Sequence, residues 1–244
     1  MSSLAQGRYS SYLDFLRSMV EQAGRRDVTS EIVRNDIART ARDRAREFLS
    51  LEQAYLNEDT MSVTRRAHAS AVSDLELSDV VVDDRFADFI FRSARFTTQL
   101  LAAQAERDVI AVERHLSTLA QRVDIKVRSG RHNMTSALTS VLIEDRTSPP
   151  FRYVDRLGRN YKSTKHIRDV YRQHLLNIYN EVYLDIAAEH GVETLEVGHP
   201  EPSYKWAGTF VSIDGEGDDP LYYDVRDEIF HPGSDAFLTM PGND

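Results

Sequence analysis

The sequence predicts an α+β protein: a long-helix-rich N-terminal region followed by a small α+β domain with a short, mostly antiparallel sheet. Three observations carry this. Apolar residues recur at three- and four-residue spacing through the first 130 positions. Pro149-Pro150 then interrupts helical geometry. Beyond the prolines, short alternating apolar runs are separated by Pro- and Gly-rich loops. The expected division is a helical region over 1–130 and an α+β domain over 131–244.

In the first helix Tyr9, Tyr12, Leu13, Leu16, Met19, Val20 and Ala23 form the inner stripe, and Gly24 is the natural stop. Thr29 is placed to cap a second helix whose stripe is Ile32, Val33, Ile37, Ala41, Ala45, Phe48 and Leu49. Its other face, Arg34 through Arg46, alternates in charge, as a solvated surface does. A shorter polar helix over Asp59–Val72 and an acidic connection over Ser73–Asp84 follow. From Arg85 to Lys126 there is no Pro or Gly, and Phe86, Phe89, Ile90, Leu100, Leu101, Val109, Val112, Leu116, Leu119 and Val123 keep one stripe. A helix of about 40 residues spans roughly 60 Å, with the Thr97-Thr98 pair a candidate break. Gly130 ends it, and Met134, Leu138, Val141 and Leu142 mark a short helix.

After the prolines, Phe151–Val154 reads as a strand and Asp155–Asn160 as a turn around Gly158. Ser163 is placed to cap a long helix carrying Ile167, Val170, Tyr171, His174, Leu175, Ile178, Val182 and Ile186, closed by Gly191. Thr194–Gly198, Tyr204–Ile213 and Leu221–Val225 are strand candidates, and Asp214–Pro220 is an acidic surface turn.

Composition bounds the chemistry. The hydrophobic fraction of 41% and charged fraction of 28% are ordinary for a globular protein. Cysteine is absent, which excludes disulfides, thiolate zinc sites, iron–sulfur clusters and cysteine nucleophiles. No apolar run approaches a membrane span, and Met1–Leu16 has none of the three parts of a signal peptide; a protein made and kept in the cytoplasm is expected. The net charge of −9 is unevenly placed: residues 151–175 hold 7 Lys/Arg against 2 Asp/Glu, and residues 176–244 hold 2 against 15. The basic segment, Arg152, Arg156, Arg159, Lys162, Lys165, Arg168 and Arg172, is the expected contact for DNA or an acidic partner. The competing reading is a solvated helix start whose charges pair with the acidic strands that follow.

Five segments occur in a fixed order across the C-terminal part. Asp155, Gly158, Arg159 and Tyr161 give Asp-x-x-Gly-Arg-x-aromatic; after a helix, Leu195, Val197 and His199 give an apolar strand ending in His. Trp206, Gly208, Phe210 and Ser212 follow as an aromatic-x-Gly-x-apolar-x-Ser segment, and His231-Pro232 closes the set. This order resembles the minor capsid, or head morphogenesis, proteins of Mu-like and related tailed phages. The family's frequent Cys and further basic or His residue after His-Pro are replaced here by Gly233-Ser234-Asp235. The resemblance implies a structural protein of the virion, assembled in the host bacterial cytoplasm and sitting near the portal vertex in several copies. The portal protein is the first expected partner, the major capsid protein the second, and packaged DNA a further contact. No cofactor and no membrane are implied.

Catalytic readings are weaker. Asp155, His199 and His231 are the residues on which a metal- or phosphate-dependent hydrolase of nucleic acid or cell wall would be built, and a nucleic-acid-binding regulator would use residues 151–175. His166, His174, His199 and His231 lack metal-ligand spacing; His166 and His174 are about 80° apart on a helix. Asp155 and Gly158 are expected to shape a turn, and Trp206, alternating with Tyr204, Gly208 and Phe210, to fill core. Ser203 and Ser212 lack a Gly-x-Ser-x-Gly elbow. No catalytic residue and no metal ligand is expected.

Overall fold

The computed structural model describes residues 1–23, 26–77, 86–144, 149–215, 217–231 and 233–242. Gly24 as the first helix stop and most of the 73–84 connection lie outside them. The described residues form six helices and two small antiparallel sheets, an α+β fold with a helix-rich N-terminal region.

In chain order the elements are α1 (Ser2–Ala23), α2 (Glu31–Asp74), α3 (Ala87–Arg128), α4 (Met134–Glu144), β1 (Arg152–Val154), β2 (Asn160–Lys162), α5 (Ser163–Glu189), β3 (Thr194–Gly198), β4 (Phe210–Ser212), α6 (Tyr222–Ile229) and β5 (Phe237–Thr239). α2 joins the expected second and third helices into one of 44 residues. Nothing between Glu31 and Asp74 is Pro or Gly, so nothing stops propagation. α3 runs 42 residues without a break at Thr97-Thr98. There the Thr98 hydroxyl donates to the Ala94 carbonyl at 2.9 Å, a bond compatible with a continuing helix.

The chain gathers into two compact units. A hairpin unit comprises Ser3–Glu52 and Gln99–Ile167; a sheet unit comprises Met1–Ser2, Gln53–Thr98 and Arg168–Asp244. Each draws on both sides of position 130, and α2, α3 and α5 each contribute to both.

In the hairpin unit the α1 stripe is buried as expected, from Tyr9 to Ala23. The Phe48 ring stacks on Tyr12 at 4.9 Å and meets Tyr9 edge-on at 5.4 Å. Leu101, Val109, Val112, Leu116, Leu119 and Val123 supply the buried face of α3. Two stripe positions fail: Ile32 is 81% exposed and Leu100 is 37% exposed. Ile32 belongs to the first helical turn, ahead of the buried run that starts at Ile37. The expected cap also moves by one residue. Thr29 donates its N–H and hydroxyl to Asp27 Oδ1 at 3.0 and 2.5 Å, while the Ser30 carbonyl accepts the Arg34 N–H, so Ser30 holds the cap position. β1 and β2 form an antiparallel hairpin with Tyr153 opposite Tyr161.

In the sheet unit β3 is central, with β4 and β5 antiparallel on either side. Leu195 and Val197 point inward and pack with Ile178, Val182, Tyr183, Ile186, Val211, Ile229 and Leu238. Gly198 is required by close approach: a Cβ there would lie 2.7 Å from the Phe237 ring. The Asn180 side chain accepts the Leu238 N–H at 3.0 Å, tying β5 to α5. Two expected strands are corrected. Tyr204–Ile213 forms a strand only over Phe210–Ser212, because Tyr204–Gly208 folds into turns. Leu221–Val225 opens α6 instead: it follows Pro220, carries Asp224 in its first turn, and buries Tyr222 and Ile229 on one face.

Because the sheet unit combines 53–98 with 168–244, cleavage at Pro149-Pro150 should leave the two fragments associated. Size-exclusion chromatography of the nicked protein checks this; release of a stable, separate fragment beginning near Phe151 would mark an independent C-terminal domain.

Candidate functional site

The first motif builds the hairpin turn. Gly158 takes φ +78°, a conformation other residues adopt at a cost, and its N–H donates to the Asp155 carbonyl at 3.0 Å. Asp155 Oδ1 accepts the N–H groups of Leu157 at 2.9 Å and Arg159 at 2.8 Å, and its Oδ2 accepts Arg159 Nε at 2.6 Å. Partial desolvation raises the Asp155 carboxyl, but the Arg159 N–H, the Arg159 guanidinium and the Leu157 N–H outweigh it and hold the group below its ordinary value. Tyr161 completes the turn, its hydroxyl 3.5 Å from Asp155 Oδ2. Asp155 is fully occupied as a turn former, the use expected of it from sequence.

The basic segment is divided between the units: Arg152, Arg156, Arg159, Lys162 and Lys165 belong to the hairpin unit, Arg168 and Arg172 to the sheet unit. The first five are exposed. Lys165 Nζ lies 5.2 Å over the Tyr161 ring, and His166 stacks on Tyr153 with centroids 3.6 Å apart. Arg168 bonds its neighbour Asp169 at 3.1 Å. Arg172 pairs with Asp235 at 2.8 Å, so at this residue the internal acidic partner is the one found.

The remaining motif residues shape one end of the sheet unit. His199 Nδ1 accepts the Glu201 N–H at 2.9 Å, and its ring stacks on Tyr204 at 4.1 Å. Tyr204 donates its hydroxyl to the Ile229 carbonyl at 2.8 Å and accepts from Ser234 at 3.2 Å. The His231 carbonyl accepts the Ser234 N–H at 2.9 Å, and the His231 side chain is exposed. Pro232 lies outside the described residues. Gly208, at φ +74°, pairs its N–H with the Val197 carbonyl, extending the β3 edge beyond β4. Trp206 packs against the sheet-unit core while Lys205 covers its ring at 4.3 Å. It does so from a turn, not from the expected strand. Ser212 is buried; its hydroxyl donates to Asp214 at 3.2 Å and accepts the Gly215 N–H at 2.9 Å, fastening the acidic turn.

No protein-family model, curated sequence or solved structure matches this chain. The functional reading therefore rests on its own residues.

The residues of the hydrolase reading are divided: Asp155 is in the hairpin unit, His199 and His231 in the sheet unit. Among the described residues no three His, Asp or Glu side chains converge in a group able to hold a metal ion. His174 is buried in the sheet unit between the hydroxyls of Thr60 at 2.8 Å and Ser93 at 3.1 Å, and burial depresses it to about 4. No described helix is long and apolar enough to cross a membrane.

Two features escaped the sequence reading. Asp108 is a buried carboxylate at the centre of the hairpin unit. It accepts hydrogen bonds from Tyr9, Gln104 and Ser163, the last at 3.2 Å. The residue expected to cap α5, Ser163, thus anchors its side chain on α3. The second is a row of arginines, Arg107, Arg114 and Arg122, along α3. Its seven- and eight-residue spacing was the available signal.

Proposed function

We propose that the chain is a structural minor head protein of a tailed phage, acting at or near the portal vertex in head assembly and in the packaging or ejection of DNA. The observation that carries this reading is the ordered motif set from Asp155 to His231, together with the work its members do. Asp155, Gly158 and Tyr161 shape a hairpin turn, His199 braces Tyr204, Gly208 extends a strand edge, and Ser212 fastens a loop. Residues spent on turns and strand ends suit a scaffold that presents surfaces. A turnover site needs a nucleophile, a base and an orienting group in mutual reach. Helices of 44 and 42 residues, about 66 and 63 Å at 1.5 Å per residue, suit a protein that lies along a large symmetric partner. The portal is the first such partner and the major capsid protein the second.

Mass spectrometry of purified heads tests the reading: the protein should be present in a small, fixed number of copies per particle. Absence from heads would overturn it. So would divalent-cation-dependent hydrolysis of DNA or peptidoglycan that is lost in the folded His199→Ala/His231→Ala variant.

The exposed cations of the hairpin unit are the docking surface in this reading. Reversing Arg156, Lys162 and Lys165 to Glu should cut incorporation into heads severalfold while the melting temperature changes little, since exposed charges contribute little to folding. Arg172 does not belong in this variant. It is only 25% exposed and bonded to Asp235, so its reversal would place two like charges together and unsettle the sheet unit itself. Normal incorporation of the triple variant would show that the segment is an ordinary solvated face.

A further inference from the structure

The net charge of −9 conceals a separation. The hairpin unit holds 21 Lys/Arg against 15 Asp/Glu, net +6, and the sheet unit 9 against 24, net −15. The positive unit also has a place where its charge is concentrated. A groove of about 760 Å³ runs along α3 beside β1, and Arg107, Arg114, Arg122 and Arg152 line it, with His115 among them. Every formally charged residue lining it is an arginine, and none is a carboxylate.

Helical geometry explains the row. Seven residues from Arg107 to Arg114 return to within about 20° of the same direction, and eight from Arg114 to Arg122 to within about 80°. The three side chains therefore follow one face at intervals of about 10.5 and 12 Å, and β1 brings Arg152 to the same groove. Ala111 keeps its floor low. Two of the four charges lack an acidic partner: Arg114 and Arg152 have no ion-pair partner among the described residues. Arg107 donates to the neutral Gln104 at 3.0 Å and lies 5.3 Å over the Tyr153 ring. Arg122 is itself paired, reaching Glu144 at 3.4 Å, so the uncompensated charge of the groove is that of Arg114 and Arg152.

From this geometry we infer that the groove binds the phosphate backbone of a single nucleic-acid strand. A guanidinium fork matches a phosphate bidentately. A nucleic-acid strand carries a charge at every nucleotide, so guanidiniums spaced along roughly 22 Å meet phosphates in any register, without a matched sequence. An acidic peptide would need carboxylates at fitted intervals. Of the seven cations in the basic segment 151–175, only Arg152 lines this groove. The inference stands apart from the virion reading, because a failure to bind DNA would leave the head-incorporation result untouched.

The test is fluorescence anisotropy of a labelled thymidine oligonucleotide against the full chain over a salt series. Four contacts predict a log–log salt slope of about −2.8, at roughly 0.7 per contact on a single strand. Arg114→Gln/Arg152→Gln should weaken binding roughly tenfold and flatten the slope by about 1.4. Both arginines are exposed, so far-UV circular dichroism and melting should match the parent. Arg39→Gln/Arg46→Gln removes equal charge from the same unit at side chains 73% and 76% exposed on α2, and should leave affinity unchanged. The proposal is overturned by no binding at low salt, by equal loss in both double variants, or by displacement of the strand by polyglutamate of matched charge. Duplex DNA binding more tightly than the single strand would place the contact on the open surface and overturn the groove as its site.

Discussion

Replacing Asp108 by alanine should destabilise the hairpin unit by about 3–5 kcal/mol, because three buried donors lose their common acceptor. Tyr9 on α1, Gln104 on α3 and Ser163 at the start of α5 all address this carboxylate, which is 1% exposed. The same group makes stability depend on pH. Burial pushes the Asp108 carboxyl up to about 6; the hydrogen bonds from Tyr9, Ser163 and Gln104 and the charge of Arg107 only partly oppose it. Burial next to Asp108 also pushes the Tyr9 and Tyr12 hydroxyls upward, so both remain protonated and donating. A carboxyl raised in the folded state contributes stability that is complete below its unfolded value, near 3.8, and is lost as pH rises through about 6. The loss is about 3 kcal/mol. Asp108→Asn keeps an acceptor for Gln104 and Ser163 without a charge, and should flatten that limb. Hydrogen exchange of α1 and α3 peptides at pH 4, 5 and 7 reads this directly; an unchanged pH profile in the Asn variant would contradict the assignment.

Acid should act on the sheet unit in the opposite sense. His174 is 4% exposed and held between Thr60 and Ser93, and burial depresses its imidazole to about 4. A histidine lowered in the folded state contributes stability that is present above its unfolded value, near 6.5, and is lost as pH falls through about 4. The expected loss is about 3 kcal/mol. Trp206 is the single tryptophan and packs against the sheet-unit core, so its fluorescence during urea unfolding reports this unit. His174→Gln should remove the dependence between pH 6.5 and 4 and cost about 1 kcal/mol at neutral pH for a lost hydrogen bond. A parent protein whose midpoint does not move over that range would refute the role given to His174.

The parts of the fold that were legible in the sequence are those fixed by local periodicity. The α1 stripe, the length of α3, the hairpin turn at Asp155–Gly158 and the inward pair Leu195 and Val197 on β3 follow from spacing three to four, from the absence of Pro and Gly, from turn chemistry and from spacing two. What failed depended on neighbours. Leu221–Val225 has strand-like composition, but burying Tyr222, Ile229 and Phe230 together requires a helix. Tyr204 and Trp206 alternate as strand residues do, yet Tyr204 is drawn into a turn by its bonds to Ile229 and Ser234. The arginine groove was hidden for another reason: counted along the chain, residues 1–130 hold 19 basic against 20 acidic side chains. Their charge separates only when stretches distant in sequence are gathered into units.

That gathering sets the order in which a nascent chain can finish. The hairpin unit is closed once Ile167 has emerged, but the partners of the second half of α2 lie beyond Arg168. At about 5–20 residues per second, the ribosome needs roughly 4–14 s to go from Ile167 to the end of β5. Throughout that interval Ala67, Ala71 and Phe86 lack the cluster partners that α5, α6 and the strands supply. Synthesis thus holds a window in which apolar surface is available to chaperones or to aggregation, and slowing elongation after codon 167 would lengthen it.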